Sequence, residues 1–212
     1  MTAVESSQRV KEEKEKEEEE LRLHPLQDSW CYYLFQFKKG LLWDACLEKV
    51  ATFSTIEHFW SILTHTIRPK EITNGSDLYM FKSEIMPKWE DPKNENGGRW
   101  LINVSPRQDV NVLWDELLML LIGSDWDTDE EDKQICGAVF QPRARGSKLS
   151  VWLTSDNEEE TIVRIGKRIK ERLALEDTIY FQPVSDQRSQ TRGRDICTGK
   201  YEIYYPKDKQ TM

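Results

Sequence analysis

Metal-ligand spacing is missing from this chain: its four Cys (Cys31, Cys46, Cys136, Cys197) form no CxxC pair, and its three His (His24, His58, His65) stand far from them in sequence. The cysteines therefore read as reduced, mostly buried thiols of an intracellular protein. No apolar run is long enough to span a bilayer, and the opening Met1-Thr2-Ala3-Val4-Glu5 does not begin a signal peptide, so a cytoplasmic or nuclear address without a membrane is expected. Catalytic signatures are lacking as well. There is no G-x-S-x-G, no H-E-x-x-H and no GxxxxGK[ST], and no His sits in a recognisable acid/base setting. Carboxylates abound, but runs such as Glu158-Glu159-Glu160 read as solvated helix starts. The expectation is a binding protein, not an enzyme, with no cofactor and no metal. Excess positive charge is also absent. A net charge of −8 argues against coating nucleic acid non-specifically, because that binding comes from neutralised phosphates. Any contact with nucleic acid should be confined to one small site.

What the chain does have is tryptophan. Eight of its 212 residues are Trp, a residue costly to hide completely and enriched where one face meets a ligand or partner. The length suits one domain with a real core. Residues 1–23 stand apart: every residue from Lys11 to Glu20 is Lys or Glu, which leaves nothing to pack and predicts a disordered acidic tail. A domain over 24–206 follows, with a flexible end at 207–212. Trp30 to Phe37 is aromatic and extended, ending at Lys38-Lys39-Gly40. Ser54-Thr55-Ile56-Glu57 fits a capping box with Ser54 as N-cap, opening a helix that carries Ile56, Phe59, Trp60 and Leu63 on one face. Strands are expected at Leu78–Phe81, Arg99–Val104, Ile135–Phe140, Leu149–Leu153 and Tyr201–Tyr205. Residues 112–122 form the most apolar helix and 157–173 a third, amphipathic one, while Asp125–Asp132 reads as a loop. Strands and helices without a regular βαβ beat predict an α+β fold, an antiparallel sheet with helices on one face.

Two Trp residues stand in polar, loop-like stretches: Trp43 after the Lys-Lys-Gly break, and Trp89 after Met86-Pro87-Lys88. Two such rings can hold a planar ligand between their electron-rich faces, and a positively charged base gains cation–π attraction there. Glu90 beside one ring offers two acceptor oxygens, suited to the parallel N1–H and N2–H2 donors of a guanine. The alternative, that both rings pack at loop bases while Glu90 is solvated, stays open on these residues alone. Arg143, Arg145 and Lys148 lie close together in a turn with Gly146. They can receive a polyphosphate, or form an ordinary solvated edge.

The motifs fall in a familiar order: His24-Pro25-Leu26, Trp30, Trp43, His58-Phe59-Trp60, Pro87-Lys88-Trp89-Glu90-Asp91, Gly97-Gly98-Arg99-Trp100-Leu101, Leu121-Ile122-Gly123, Cys136-Gly137-Ala138-Val139, Arg143 to Lys148, Trp152 and Ile165-Gly166. From His24 through at least Leu175 the chain resembles the eukaryotic translation initiation factor 4E family of mRNA cap-binding proteins. The resemblance implies a fold like a cupped hand, a curved antiparallel sheet with three helices on its convex back. It implies that Trp43 and Trp89 sandwich the 7-methylguanine of capped mRNA, with Glu90 and the Trp89 amide reading the base edge and Trp152 against the methyl group. Arg143 and Lys148, supported by Arg99 and Arg145, would bind phosphate. A second surface on the back would receive a short Tyr-x-x-x-x-Leu-apolar helix from the scaffold factor 4G or from 4E-binding proteins. Its residues here would be His24, Pro25, Ile56, Trp60, Glu116 and Met119, with Gly123 nearby and the protein acting as a monomer.

The chain departs from the family in three places. Asp115 stands where Leu is usual, and a charge in an apolar groove costs affinity unless it is paired. The Asp125–Lys133 segment is longer and more acidic than usual, and Ser185–Met212 matches poorly, so no phosphorylation site is carried over. These features suggest a divergent paralogue. They leave a second reading, a cap-binding repressor or specialised form with weak scaffold recruitment. A pure protein-interaction module is disfavoured by the intact Trp43, Trp89 and Glu90, and a cap hydrolase by the lack of a nucleophile or carboxylate cluster.

Overall fold

Alternation along the first aromatic stretch sets the architecture. In strand β1 (Pro25–Gln36), Trp30 and Tyr32 are buried in one apolar cluster, while Cys31, Tyr33 and Phe35 belong to another. Successive strand side chains point to opposite faces, so one strand feeds two surfaces. The computed structural model describes residues 23–144, 146–189 and 199–204. Residues 1–22 of the tail expected over 1–23, the segment 207–212, Arg145, Cys197 and Tyr205 lie outside the described residues.

Seven more strands join β1: β2 (Leu47–Thr55), β3 (Ser76–Lys82), β4 (Gly98–Val104), β5 (Ile135–Gln141), β6 (Ser147–Leu153), β7 (Ile179–Pro183) and β8 (Tyr201–Ile203). They form one curved sheet in the order β2-β1-β3-β5-β6-β4-β7-β8, with every neighbouring pair antiparallel. The α+β expectation is met. Strands β2 and β7 were not foreseen. β2 is an edge strand whose Glu48, Lys49 and Val50 are all exposed, and β7 ends in a proline, so neither shows the apolar alternation that marks a strand.

Three long helices, α2 (Ile56–His65), α3 (Val110–Ile122) and α5 (Glu159–Arg172), cover one face. Phe59 and Leu63 of α2, Leu117 and Leu121 of α3, and Ile162, Ile165 and Ile169 of α5 share a core with Trp30, Met80, Ile102, Phe140 and Val151 of the sheet. Short helices α1 (Trp43–Cys46), α4 (Asp129–Gln134) and α6 (Val184–Ser189) and a 3-10 turn at Pro69–Glu71 complete the described elements.

Two local expectations need correction. The cap of α2 is Thr55, whose side chain accepts from the His58 amide, because β2 runs on through Ser54. Glu57 does not reach back to a cap amide; it accepts from the His24 backbone at 3.0 Å and pairs with His24 Nδ1 at 2.7 Å. A tertiary partner has displaced the local capping box. The acidic segment is not all loop either: Thr128 accepts from the Glu131 amide to start α4, and buried Glu131 pairs with Arg164 of α5 at 2.6 Å. A carboxylate within a stretch read as loop is here desolvated and charge-paired.

The seat of α5 depends on a missing side chain. Trp100, fully buried, donates from Nε1 to the Ile162 carbonyl at 3.0 Å. A Cβ on Gly166 would stand 2.4 Å from the Trp100 ring, so only glycine lets helix and ring approach this closely. Gly166→Val is therefore expected to lower the unfolding free energy by about 3 kcal/mol, the upper end for overpacking, as read from a urea midpoint.

Candidate functional site

The face of the sheet away from the long helices carries a second apolar cluster, including Tyr33, Tyr79, Phe81, Val139 and Trp152. Above it opens a cleft of about 700 Å³, and Trp43, Trp89, Glu90, Arg99, Arg143 and Trp152 all line it. Six residues singled out from sequence are thus brought together from five separate segments.

Each wall has its own support. Trp43 opens α1 directly after the Lys38-Lys39-Gly40 break, as a one-turn helix and not the plain loop expected. Its ring stacks on Phe35 at 5.5 Å between centroids and meets Tyr79 edge-on at 6.2 Å. Buried Cys46 accepts from the Lys38 amide at 3.4 Å and closes this turn. The opposite wall is the irregular segment between β3 and β4. Trp89 lies 6.3 Å from Trp152, and Trp152 packs edge-on against Phe81 at 5.7 Å. Trp43 is 37% exposed and Trp152 only 4%, so Trp43 keeps surface for a ligand while Trp152 forms floor. Glu90 is exposed at the rim beside Trp89.

The cationic end is more structured than three clustered positive charges suggest. Arg143 makes a two-pronged contact to buried Asp77, at 2.7 and 3.2 Å, and Gln141 donates to the same carboxylate at 2.8 Å. The hydrogen bonds from Arg143 to Asp77 raise the Arg143 pKa and fix the plane of the guanidinium. Arg99 faces Trp152 across the β4–β6 pair and has no ion pair among the described residues; its buried Nε makes no hydrogen bond. Burial brings its pKa down to about 10, so it remains a cation, half-buried and without a counter-charge among the described residues. Such a group favours an incoming anion. Lys148 does not line the cleft. By strand alternation it shares a face with Trp152, half-buried, two residue pairs further along β6.

Sequence reasoning missed Asp77, Tyr79, Lys88 and Asp44, which also line the cleft. Asp77 left a faint signal, as a charge at the same alternating position as Tyr79 and Phe81. Lys88 and Asp44 approach at 3.8 Å and link the two Trp-bearing segments, a pairing no local pattern announces.

On the opposite face a shallower groove of about 380 Å³ is lined by Pro25, Leu26, Ile56, Phe59, Trp60, Met119, Ile122 and Gly123. Trp60 is 43% exposed and rests edge-on against Phe59 at 5.2 Å. His24 ties the start of β1 to α2 through Glu57, whose carboxyl it holds down at about 2, well below the usual range. His24, Asp115 and Glu116, expected on this surface, do not line the groove. Asp115 is not a bare charge: Arg68 donates to it at 2.5 Å and also to the Leu63 carbonyl at 3.2 Å.

Known proteins share this fold. A family model for eukaryotic initiation factor 4E matches residues 25–198. The chain is 38% identical over 183 residues to eukaryotic translation initiation factor 4E of Xenopus laevis, covering 85% of each chain. The crystal structure of a schistosome eIF4E complexed with m7GpppA and 4E-BP is 86% identical, with a TM-score of 0.84 over 86% of this chain and all of that one. The Ascaris suum eIF4E-3 complex with m2,2,7G cap is 34% identical, with a TM-score of 0.76 over 85% of this chain and 98% of that one. A family match across most of the described fold, with relatives well above 30% identity, establishes that this chain belongs to the eukaryotic initiation factor 4E family.

Proposed function

We propose that this protein binds the 7-methylguanosine cap of mRNA in the cleft and recruits that mRNA for translation initiation through a scaffold helix docked on the opposite groove. The observation that carries the reading is the meeting of Trp43, Trp89 and Glu90 with two arginines in one cleft. Trp43 and Trp89 sandwich the methylated base, Glu90 accepts from its N1–H and N2–H2, and Trp152 lies against the methyl group. Arg99 and Arg143 take phosphate, with Lys148 further along the same face and Arg145 assigned to phosphate from the sequence motif alone. Cap-bound relatives in the family, one of them 86% identical, support this assignment.

The magnitudes are consistent with it. Stacking on each ring contributes about 1–3 kcal/mol, and a bidentate edge contact about 1–3 more. A micromolar complex needs about 8 kcal/mol after association costs. Methylation gives the base a formal charge, adding up to about 2 kcal/mol of cation–π attraction. Titration with 7-methyl-GTP should therefore quench the intrinsic Trp fluorescence at concentrations where GTP does not. Equal responses to the two nucleotides, or none, would remove the reading.

The groove reading rests on exposed Trp60 between Ile56 and Met119, and on the schistosome relative solved with 4E-BP. Asp115 favours a second reading, a specialised or repressive form that recruits its scaffold weakly. Its pairing with Arg68 weakens that argument, because the charge is already compensated within the chain.

A further inference from the structure

The segment carrying Trp89 and Glu90 has no helix or strand, yet bidentate reading of a base edge tolerates little movement of the carboxylate. Its rigidity traces to one buried side chain. Asn94 is completely buried, and its Nδ2 donates to the carbonyls of Met86 and Lys88, both at 2.8 Å. Two carbonyl partners settle which end of the amide is nitrogen. The Oδ1 of the same amide is buried without a hydrogen bond, an unfavourable arrangement that a plain apolar side chain would avoid. The amide is therefore explained by its two N–H bonds and not by space filling. Asp91 extends the brace: its carboxylate accepts from the Met86 and Lys93 amides, each at 2.9 Å, and its carbonyl accepts from the Asn94 amide at 2.9 Å. Beneath them the thiol of buried Cys136 donates to the Lys93 carbonyl at 3.8 Å. Downstream, Gly97 passes so close over β6 that a Cβ there would stand 2.0 Å from the Leu153 carbonyl oxygen. Trp89 and Glu90 form the crest of an arc pinned on both sides.

We infer that Asn94, braced by Asp91, is a positioning residue for base recognition: by holding the Lys88 carbonyl it fixes the peptide from which Trp89 and Glu90 project, and so sets the selectivity for a guanine edge. This rests on the cap-binding reading above. The test compares 7-methyl-GTP with 7-methyl-inosine triphosphate, which lacks the exocyclic amine and so offers Glu90 one donor fewer. The unaltered protein should prefer the guanine form by about tenfold, the low end for a good bidentate contact. In Asn94→Ala that preference should fall to within about twofold, while binding of a Tyr-x-x-x-x-Leu-apolar peptide to the opposite groove stays unchanged and certifies the fold. A purely structural role would lower thermal stability and leave the guanine-to-inosine ratio intact, and that result overturns the inference. Should Asn94→Ala fail to fold, Asp91→Asn, which replaces one of the two side-chain oxygens that accept from backbone amides in the same brace, is read by the same ratio. If the unaltered protein does not distinguish 7-methyl-GTP from GTP, the cap-binding reading falls and takes this inference with it. If it does, and the ratio survives in both variants, the positioning role alone is wrong.

Discussion

Trp89→Ala is expected to weaken 7-methyl-GTP binding by roughly two to three orders of magnitude while changing the feeble binding of GTP far less. Loss of one stacking face removes about 1–3 kcal/mol, and loss of the cation–π contact a further amount up to about 2 kcal/mol. The second component exists only for the charged, methylated base, so the variant should lose selectivity together with affinity. The geometry adds a secondary effect. Trp89 leans on Trp152 at 6.3 Å, so truncation also uncovers the floor of the cleft to water. Isothermal titration calorimetry is the right readout, because the substitution deletes a fluorophore. Nearly equal affinity of the variant and the unaltered protein for 7-methyl-GTP would mean that the base is held elsewhere.

Trp60→Ala should have the second large effect, on a different ligand. A half-exposed Trp in an apolar groove is the residue type that dominates helix docking, and its truncation typically removes about 2 kcal/mol or more, at least thirtyfold in affinity. Titration of the variant with a Tyr-x-x-x-x-Leu-apolar peptide should show that loss. Titration with 7-methyl-GTP should show none, because Trp60 and Trp43 stand on opposite faces of one sheet. Arg68 gives a finer test of the same surface. Arg68→Ala leaves Asp115 partly buried without its partner, which should reduce peptide affinity several-fold. Adding Asp115→Leu in the same chain should restore it, since removing both charges leaves no uncompensated group. Failure of the double variant to recover would mean that Arg68 acts through its second bond, to the Leu63 carbonyl.

Much of this molecule was legible one residue at a time. The apolar periodicity of 112–122 and 157–173 and the alternation in β1, β3, β4, β5 and β6 follow from local preference, which acts between near neighbours. The motif order carried the family, and Trp-Glu-Asp in a Pro-containing stretch singled out Trp89, which does line the cleft. Strands β2 and β7 were not legible, because an edge strand and a proline-ended strand owe their extended shape to the partner they pair with. Glu57 and the segment around Glu131 misled for a related reason: one looks like a local cap and the other like a loop until a distant His24 or Arg164 claims the carboxylate.

The sequence by itself determined the fold class, the family and the choice of two rings and one carboxylate as candidates for holding a base. Only tertiary structure decided that Trp43 meets Phe35, that Arg143 is held flat by Asp77 while Arg99 waits without a counter-charge, and that Asn94 braces the Trp89 segment. It also decided that Asp115 is neutralised by Arg68. The reason is one of range. Propensity, periodicity and motif are properties of adjacent residues, whereas desolvation and charge pairing depend on which distant side chains the packed sheet brings within a few ångströms.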